Sequence, residues 1–388
     1  MTGVFPRPEL ADAVPSGPLN LVKCHGGPEV CGLLQLEHSY DPLEMYGENY
    51  GYRSGLNTTM TNHLRDKVEK ICREIELVTG DIVVDVGSND GTSLAAFPKD
   101  LFLIGIDPTA QKFRSYYEPH IHVIPEFFSQ RAIADVIGSK KVKVIISHSM
   151  FYDLEDPVGF AREVRSVLAD DGIWVFEQSY MPSMLARTAF DTVCHEHIEY
   201  YGLHQINWIL ERVGFRATDV EFNDTNGGSF SVIATPVGNV HKPTQDTVGK
   251  TLLREQQLGL LDLDPYAEFE MTTRQRRDDL LAFVTTAQDQ GKRICGAGAS
   301  TKGNTLLQFT GLNSSHIESI AEINPDKFGR VTPGSKIPIV SQPDVLRTYP
   351  DYLLVLPWHF RDFFLTSELF VGQTLLFPLP KVEVVARH

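Results

Sequence analysis

The chain has 388 residues, of which 42% are hydrophobic and 22% charged, and its formal net charge is −15. This length predicts two or three domains, since a domain usually holds about 100 to 200 residues. The composition is that of a globular rather than a disordered protein. The acidic charge argues against a nucleic-acid partner, because proteins meet phosphate backbones with clustered Lys and Arg. It favours a small-molecule substrate.

Signals for a membrane or for secretion are missing from the sequence. No apolar run approaches the roughly 20 residues that cross a bilayer, and the first residues, MTGVFPRPELADAVPSG, lack a basic start followed by an apolar stretch. The cysteines are scattered and odd in number, five in all, which favours reduced thiols over a disulfide framework. We therefore expect a cytoplasmic protein with no membrane partner. The sequence leaves the oligomeric state open, with a monomer among the alternatives.

The first predicted unit is a small N-terminal module over residues 1–62, which are rich in Pro, Gly and Tyr. From about Thr61 the segment NHLRDKVEKICREIEL opens a second unit, predicted over residues 63–240. Its apolar side chains recur at spacings of three and four residues, which is typical of an amphipathic helix. These positions are Leu64, Val68, Ile71, Ile75 and Val78.

Five short apolar runs follow, in IVVDVGSNDG, LFLIGIDP, HIHVIPEFF, KVIISHSMF and GIWVFEQSY, and SVIATPVGN closes the unit. Their alternation with polar or helical segments predicts an α/β fold with a parallel sheet covered on both faces. Residues 246–290 are helical and charged in pattern. Strand and turn signals then restart at RICGAGASTKGNT, which predicts a smaller α/β unit within residues 241–388.

The turn in VVDVGSNDGTSL points to a nucleoside-bearing cofactor. Gly87 and Gly91 frame a tight strand-to-helix turn, where missing side chains allow close approach of a ligand to backbone N–H groups. Some twenty residues later a second strand ends in Asp107, whose carboxylate can accept hydrogen bonds from both ribose hydroxyls. Asp85 and Asp90 would repel a pyrophosphate, and they suit the cationic groups of S-adenosylmethionine.

These features resemble the class I methyltransferases. The resemblance implies that Asp85, Gly87 and Asn89 contact the methionine part of the cofactor and that Asp107 holds the ribose. It further implies that Glu126 or Phe127, after the third strand, touches the adenine. Ser147 on the fourth strand completes the candidate cofactor contacts.

Several stretches narrow the resemblance to the C-methyltransferases that act on nucleotide-linked 4-keto-6-deoxy sugars. They are YGENYGYRSG, the VVDVGSNDGT turn, FDTVCHEHIEYY, NGGSF, GAGASTKGNT and INPDKFGRVTPGSKIPI, and they run from about residue 20 to the C-terminus. The resemblance implies a Rossmann-like central methyltransferase domain, an N-terminal module and a second Rossmann-like domain that helps to hold the nucleotide sugar.

The N-terminal module of that family often carries zinc on two CxxC pairs. This chain has only Cys24 and Cys31 there, separated by six residues, so a four-cysteine site cannot be built. We therefore expect no structural zinc.

The turn GAGASTKGNT resembles a phosphate-binding P-loop, but Lys302 precedes Gly303, whereas the P-loop order is Gly-Lys-Ser/Thr. Nucleotide hydrolysis is therefore excluded. A strand-to-helix turn with one Lys could still receive a substrate phosphate, which makes Lys302 and Asn304 candidate substrate contacts. Tyr152, where some family members have a His, is a third.

The stretch CHEHIEYY raises a choice between a metal site and acid-base chemistry. In an extended strand only His195 and His197 would share a face, which leaves a zinc site short of ligands. Methylation at carbon needs a base for a C–H beside a carbonyl and a donor for the enolate oxygen. The resemblance assigns the base to His197, with Glu196 orienting its neighbours and Tyr52 or Tyr200 as the donor.

Two alternatives remain open on sequence alone. A nicotinamide-dependent oxidoreductase would also show parallel sheets and glycine turns, although the third-glycine spacing is missing and Asp90 counts against it. A non-catalytic module that retains the cofactor fold is the other alternative, and the presence of CHEHIEYY counts against that reading.

Overall fold

The computed structural model describes residues 3–27, 29–45, 52–239 and 246–387. Residues 46–51, which open the YGENYGYRSG motif, lie outside these ranges. The chain begins with strands β1 (Leu21–Lys23) and β2 (Leu34–Leu36), which pair antiparallel, and the short helix α1 (Pro42–Met45).

Helix α2 (Thr58–Glu74) leads into the central sheet. The Asn57 side chain caps its start by accepting hydrogen bonds from the N–H groups of Thr59 and Met60. Leu64, Val68 and Ile71 are buried as the spacing predicts. The predicted end was wrong, because Ile75 is already extended and Val78 is 58% exposed, so the apolar period outlasts the helix.

The central part contains seven strands in one sheet and one strand outside it. The strands are β3 (Ile82–Val86), β4 (Phe102–Ile106), β5 (His122–Ile124), β6 (Val142–His148), β7 (Leu168–Ser179), β8 (Glu199–Tyr200), β9 (Phe215–Asn223) and β10 (Ser229–Pro236). The helices are α3 (Gln130–Ile137), α4 (Pro157–Val167), α5 (Met181–Arg187) and α6 (Leu203–Arg212).

The seven-stranded sheet has the order β5-β4-β3-β6-β7-β10-β9. Its first five strands are parallel, whereas β10 runs antiparallel to both β7 and β9, so the sheet is mixed rather than wholly parallel. The five apolar runs are these parallel strands. Strand β9 escaped the sequence analysis because polar residues alternate along it, as expected for a half-exposed edge strand.

The C-terminal part starts with the predicted helical stretch, which forms α7 (Thr247–Gln257) and α8 (Asp264–Asp289). A six-stranded sheet follows in the order β13-β12-β11-β14-β15-β16. Its strands are β11 (Ile294–Ala297), β12 (Ile320–Glu322), β13 (Ile339–Ser341), β14 (Tyr352–Val355), β15 (Thr374–Phe377) and β16 (Glu383–Ala386). Its helices are α9 (Thr301–Thr310), α10 (Gln342–Leu346) and α11 (Arg361–Thr366). The first five strands of this order are parallel and β16 is antiparallel to β15. The strand order, which runs outward in both directions from β11, is that of a Rossmann-like sheet.

Strand β8 joins the N-terminal sheet by pairing antiparallel with β2. The extended strand assumed for CHEHIEYY is therefore wrong for its first half, since residues 195–196 form a bend and the strand begins at Glu199. A backbone hydrogen bond from His197 N–H to the Cys194 carbonyl closes that bend. The unit boundaries near residues 62 and 240 remain predictions.

Glu255 of α7 ties the C-terminal helices to the central part. The carboxylate is 2% exposed and accepts hydrogen bonds from Tyr180 Oη at 2.8 Å and from the N–H groups of Leu203 and His204 at 2.7 and 2.8 Å. These two N–H groups belong to the first turn of α6, where no partner exists within the helix. One side chain thus caps α6 and fixes Tyr180.

We expect Glu255→Gln to lower the free energy of unfolding by about 1–3 kcal/mol, because the amide leaves one buried donor without an acceptor. Urea unfolding measures the change. Glu268→Gln on the exposed face of α8 is the matched control and should stay within about 0.5 kcal/mol of the wild type. Equal losses in the two variants would contradict the capping role.

Candidate active site

The carboxyl ends of the parallel strands form the edge of the central sheet that can bind a ligand. The chain passes from β3 to β4 on one side and returns with β6 on the other side of β3. Ligands of open α/β sheets bind at such a switch point, in the crevice outside the strand ends. The glycine turn follows β3, Asp107 follows β4 and Glu126 follows β5, so the predicted cofactor residues meet there.

The glycine turn has a backbone that most side chains disfavour. Gly87, Asn89 and Gly91 have φ values of +74°, +50° and +77°, and Asn is the residue after glycine that best tolerates this region. A Cβ at Gly87 would lie 3.1 Å from the Met150 side chain, so any other residue there would press against Met150. The Tyr117 hydroxyl donates to the Asn89 carbonyl at 2.8 Å, and this hydrogen bond restrains the turn.

Three carboxylates surround this turn. Asp107 is 7% exposed and accepts from the Asn89 N–H at 2.8 Å and the Thr109 N–H at 2.6 Å. Burial raises the pKa of Asp85 well above its usual value, and the neighbouring Asp107 and Asp90 raise it further. A cation bound at the turn would relieve this concentration of negative charge.

The segment before α2 covers the turn. The Ser54 N–H donates to Asn89 Oδ1 at 3.0 Å, the Gly55 N–H donates to Asp90 Oδ2 at 2.9 Å, and Asn89 Nδ2 donates to the Tyr52 carbonyl at 3.2 Å. The structure therefore brings Tyr52 to the cofactor turn, with its side chain 49% exposed. The sequence analysis missed this contact because the two motifs are 35 residues apart.

The remaining predicted cofactor residues occupy different environments. Glu126 and Phe127 are exposed beyond the end of β5 and are accessible to a ligand. Ser147 is fully buried, and its hydroxyl accepts a hydrogen bond from Trp174 Nε1 at 3.1 Å. The Ser147 hydroxyl is therefore engaged in a hydrogen bond inside the protein core.

A small cleft lies near the carboxyl ends of β6 and β7 and the start of β10. It contains the predicted base and two further predicted site residues, His197, Tyr152 and Tyr200. Its other lining side chains include Glu199, Ser179 and Tyr180, and its far wall is formed by Asn226, Gly227 and Gly228 of the NGGSF motif. Residues predicted from separate motifs therefore share one cleft.

The His197 ring is held in one orientation. Its Nδ1 lies 3.1 Å from the Thr192 carbonyl, which can only accept, so Nδ1 carries the proton and Nε2 is the basic nitrogen. The Tyr152 ring packs on it at 4.3 Å between centroids. Burial lowers the pKa of His197 to about 3, and the nearby Lys302 cation lowers it further.

The neighbours of His197 point elsewhere. His195 faces the N-terminal module, where its Nε2 lies 3.2 Å from the Gly17 carbonyl and its ring contacts Tyr40. The Glu196 carboxylate lies against Gly3. The bend at residues 195–196 thus separates the two histidines. The sequence analysis had placed them on one face because it assumed an extended strand.

Tyr200 is buried, and its hydroxyl donates to the His197 carbonyl at 2.9 Å. This hydrogen is therefore committed to holding the bend. Burial raises the pKa of Tyr200 well above its usual value, which keeps the phenol neutral. Tyr200 supports the position of His197.

Lys302 of α9 reaches from the C-terminal part to the NGGSF motif, where its Nζ donates to the Asn226 carbonyl at 2.7 Å. Burial lowers the pKa of Lys302, while Asp191 and Cys194 oppose that shift. Asn304, two residues further along α9, is fully buried. The predicted substrate residues Lys302 and Tyr152, from the C-terminal and central parts of the chain, therefore both lie near His197.

Two functional features escaped the sequence analysis. Trp358 Nε1 donates to Asp191 Oδ2 at 2.8 Å, which joins the C-terminal part to the segment before His197. Glu199 lines the cleft, is 7% exposed and accepts a hydrogen bond from the Tyr201 hydroxyl. The sequence offered one signal for Glu199, which is its position within CHEHIEYY. The signal was overlooked because the sequence analysis asked only whether the two histidines share a face of a strand.

Metal sites and membrane helices were sought over the part of the chain that the structure describes. No cluster of three or more His, Cys, Asp and Glu in those ranges is arranged to hold a metal ion. Burial raises the pKa of the Cys194 thiol well above its usual value, so it stays protonated. No helix among the described residues is long and apolar enough to cross a membrane.

Comparison with known proteins identifies both halves of the chain. Residues 56–220 match the family model of a methyltransferase domain, and residues 224–380 match that of a C-methyltransferase C-terminal domain. The chain therefore contains a methyltransferase domain followed by a C-methyltransferase C-terminal domain. The predicted class I methyltransferase core with a second Rossmann-like domain is thereby confirmed.

The chain is also similar to individual known proteins. The C-methyltransferase NovU of Streptomyces niveus is 29% identical over 378 residues, which cover 95% of this chain and 88% of the relative. Among solved structures, a putative methyltransferase in complex with the Haloferax volcanii Trm112 activator has a TM-score of 0.37 at 13% identity, over 46% of this chain and 94% of that one. The plantazolicin methyltransferase BpumL in complex with SAH has a TM-score of 0.37 at 12% identity, over 47% and 87%. Structural overlaps of this size carry no argument about function.

We expect the His197 ring to stay neutral from about pH 7.5 down to about pH 5, because a lowered pKa favours the uncharged form above it. The ring should protonate only as the pH falls through about 3. A pH titration followed by NMR measures this, with the resonance assigned by its loss in His197→Asn. Titration near the ordinary value of 6.5 would contradict the burial argument.

Proposed function

We propose that the chain catalyses S-adenosylmethionine-dependent methylation at a carbon of a nucleotide-linked 4-keto-deoxy sugar, through an enolate. The observation that carries this proposal is the cleft at the strand ends, where His197 presents a basic Nε2 with its tautomer fixed by the Thr192 carbonyl. Carbon becomes a nucleophile here only if a neighbouring carbonyl acidifies its C–H and a base removes the proton. A ketone beside the reacting carbon meets that need.

The glycine turn fits the proposed cofactor. Asp85, Asp90 and Asp107 lie together there, and burial, followed by the charges of Asp107 and Asp90, raises the pKa of Asp85. S-adenosylmethionine brings a cationic sulfur and an ammonium group, and when bound it supplies an electrophilic methyl group. Asp107 would accept from the ribose hydroxyls, since a carboxylate has lone pairs beyond those used by Asn89 and Thr109.

The proposed substrate fits the positive charge that Lys302 places near His197. Lys302 is the cation next to His197, and both groups have lowered pKa values. An anionic diphosphate bound near Lys302 would offset its charge, and an enolate forming beside His197 would favour the imidazolium. Both effects raise the proton affinity of Nε2 once substrate is present. The nucleotide-linked sugar thus helps to activate its own base.

We expect Asp107→Ala to weaken binding of S-adenosylmethionine by about 1–3 kcal/mol, because it removes a charged acceptor for the ribose hydroxyls. Isothermal titration calorimetry measures this affinity, and titration with NAD should give no binding to the wild type. Asp100→Ala, at the exposed amino end of the same sheet, is the matched control and should bind normally. Unchanged affinity in folded Asp107→Ala would place the cofactor elsewhere.

The proposed base is tested by solvent deuterium exchange into a 4-keto sugar nucleotide in the presence of S-adenosylhomocysteine, which cannot donate a methyl group. Wild type should exchange the proton beside the carbonyl. His197→Asn should not exchange and should not methylate, while it still binds S-adenosylmethionine, because only the basic nitrogen is lost.

His195→Asn serves as the control for this test, since its ring faces the N-terminal module, and its effect should be milder. Exchange at the wild-type rate in His197→Asn would remove His197 from the role of base. A mass-spectrometric screen of nucleotide-linked 4-keto sugars tests the substrate class itself. The expected product has gained one methyl group.

A further inference from the structure

The enolate oxygen of the proposed reaction needs a hydrogen-bond donor in the same cleft as His197. Neither donor candidate from the sequence meets this need. The Tyr200 hydrogen is committed to the His197 carbonyl at 2.9 Å. Tyr52 lies at the glycine turn, and among the described residues it is not part of the cleft lining. Tyr180 donates to Glu255 and is likewise occupied.

Besides the Ser179 hydroxyl, which has no hydrogen-bond partner among the described residues, the cleft contains a more acidic donor candidate, the carboxyl of Glu199. It stands next to Tyr200 on β8, opposite Gln35 of β2, and is 7% exposed. The Tyr201 hydroxyl donates to its Oε2. Among the described residues no Lys, Arg or His lies within ion-pair distance of this carboxyl. A buried carboxyl without a cationic partner is held in its neutral form.

We propose that Glu199 is a further catalytic residue, a neutral carboxylic acid whose Oε1–H donates a hydrogen bond to the carbonyl oxygen of the substrate. This inference rests on the proposed function. Since Oε2 accepts from Tyr201, the carboxyl proton is left to Oε1. His197 Nε2 takes the proton from carbon, the electron pair moves to oxygen, and Glu199 stabilises that oxygen. As the carbon takes the methyl group, the S–CH3 bond would break, S-adenosylhomocysteine would leave with that electron pair, and the carbonyl re-forms. His197 then releases its proton to water, and Glu199 keeps its own proton throughout.

The surroundings of Glu199 support a neutral carboxyl. Burial raises the pKa of Glu199 to about 8, with Asp156 adding to the shift and the Tyr201 hydrogen bond opposing it. Strand β2 contributes no ionisable side chain to this neighbourhood. The ionisable groups around Glu199 are Tyr152, Asp153 and Asp156 near the start of α4, Tyr180 across the cleft, and His197, Tyr200 and Tyr201 on its own segment. A carboxyl that is neutral below about pH 8 loses its donor hydrogen as the pH rises through that value.

Three variants separate the possible roles. Glu199→Ala should lower kcat by about 10²- to 10³-fold, the usual effect of removing an oxyanion donor. Glu199→Gln keeps an N–H donor of the same shape, so it should retain most of the rate and lose the alkaline fall in the pH profile. Ser179→Ala, at another lining residue, should keep that alkaline fall. Inactive Glu199→Gln would mean that Glu199 acts as an ionised base, and it would overturn the proposal.

A second readout needs no substrate. In the infrared difference spectrum of wild type minus Glu199→Gln, a protonated-carboxyl C=O band should be present at neutral pH and should vanish with a midpoint of about 8. Absence of that band would overturn the role of Glu199 even if the enzyme methylates sugars. Presence of the band without turnover of any 4-keto sugar would instead overturn the proposed function and leave the neutral carboxyl established.

Discussion

The segment from residue 190 to 201 is held by all three parts of the chain, and the candidate site depends on that restraint. Strand β2 pairs with β8 at one end of the segment. At the other end Trp358 donates to Asp191, and helix α9 packs against residues 190–192. A bend between two anchors keeps the His197 ring in one orientation, which a free loop could not do. The proposed catalytic geometry therefore depends on contacts from all three parts of the chain.

Charge is distributed unevenly across the two ligand regions. The glycine turn gathers Asp85, Asp90 and Asp107, whereas Lys302 is the buried cation beside His197. Buried like charges without full compensation favour ligands of opposite sign. The proposed cationic methyl donor and the proposed anionic nucleotide sugar would therefore be directed to different ends of the site before any specific contact forms. The overall charge of −15 does not reveal this division.

The sequence predicted the parallel strands and the turns well because their signals are local. An apolar run followed by glycine indicates a buried strand and a tight turn wherever the chain then goes. The bend at residues 195–196 was mispredicted because alternation describes only regular strands, and tertiary anchors at β2 and Trp358 impose the bend. Glu199 was overlooked for a related reason. Its neutral state comes from burial and from Tyr201, which no spacing rule can indicate.

Burial alone can prepare both partners of the proposed proton chemistry. Removal from water disfavours the charged form of every group, so it lowers the pKa of His197 and raises that of Glu199. Between about pH 3 and about pH 8 the cleft therefore holds a neutral base and a neutral acid together. An ionised pair would need compensating charges that a low-dielectric cleft supplies poorly. Proton removal then creates imidazolium and enolate side by side, so the total charge of the cleft stays constant while the carbon becomes a nucleophile.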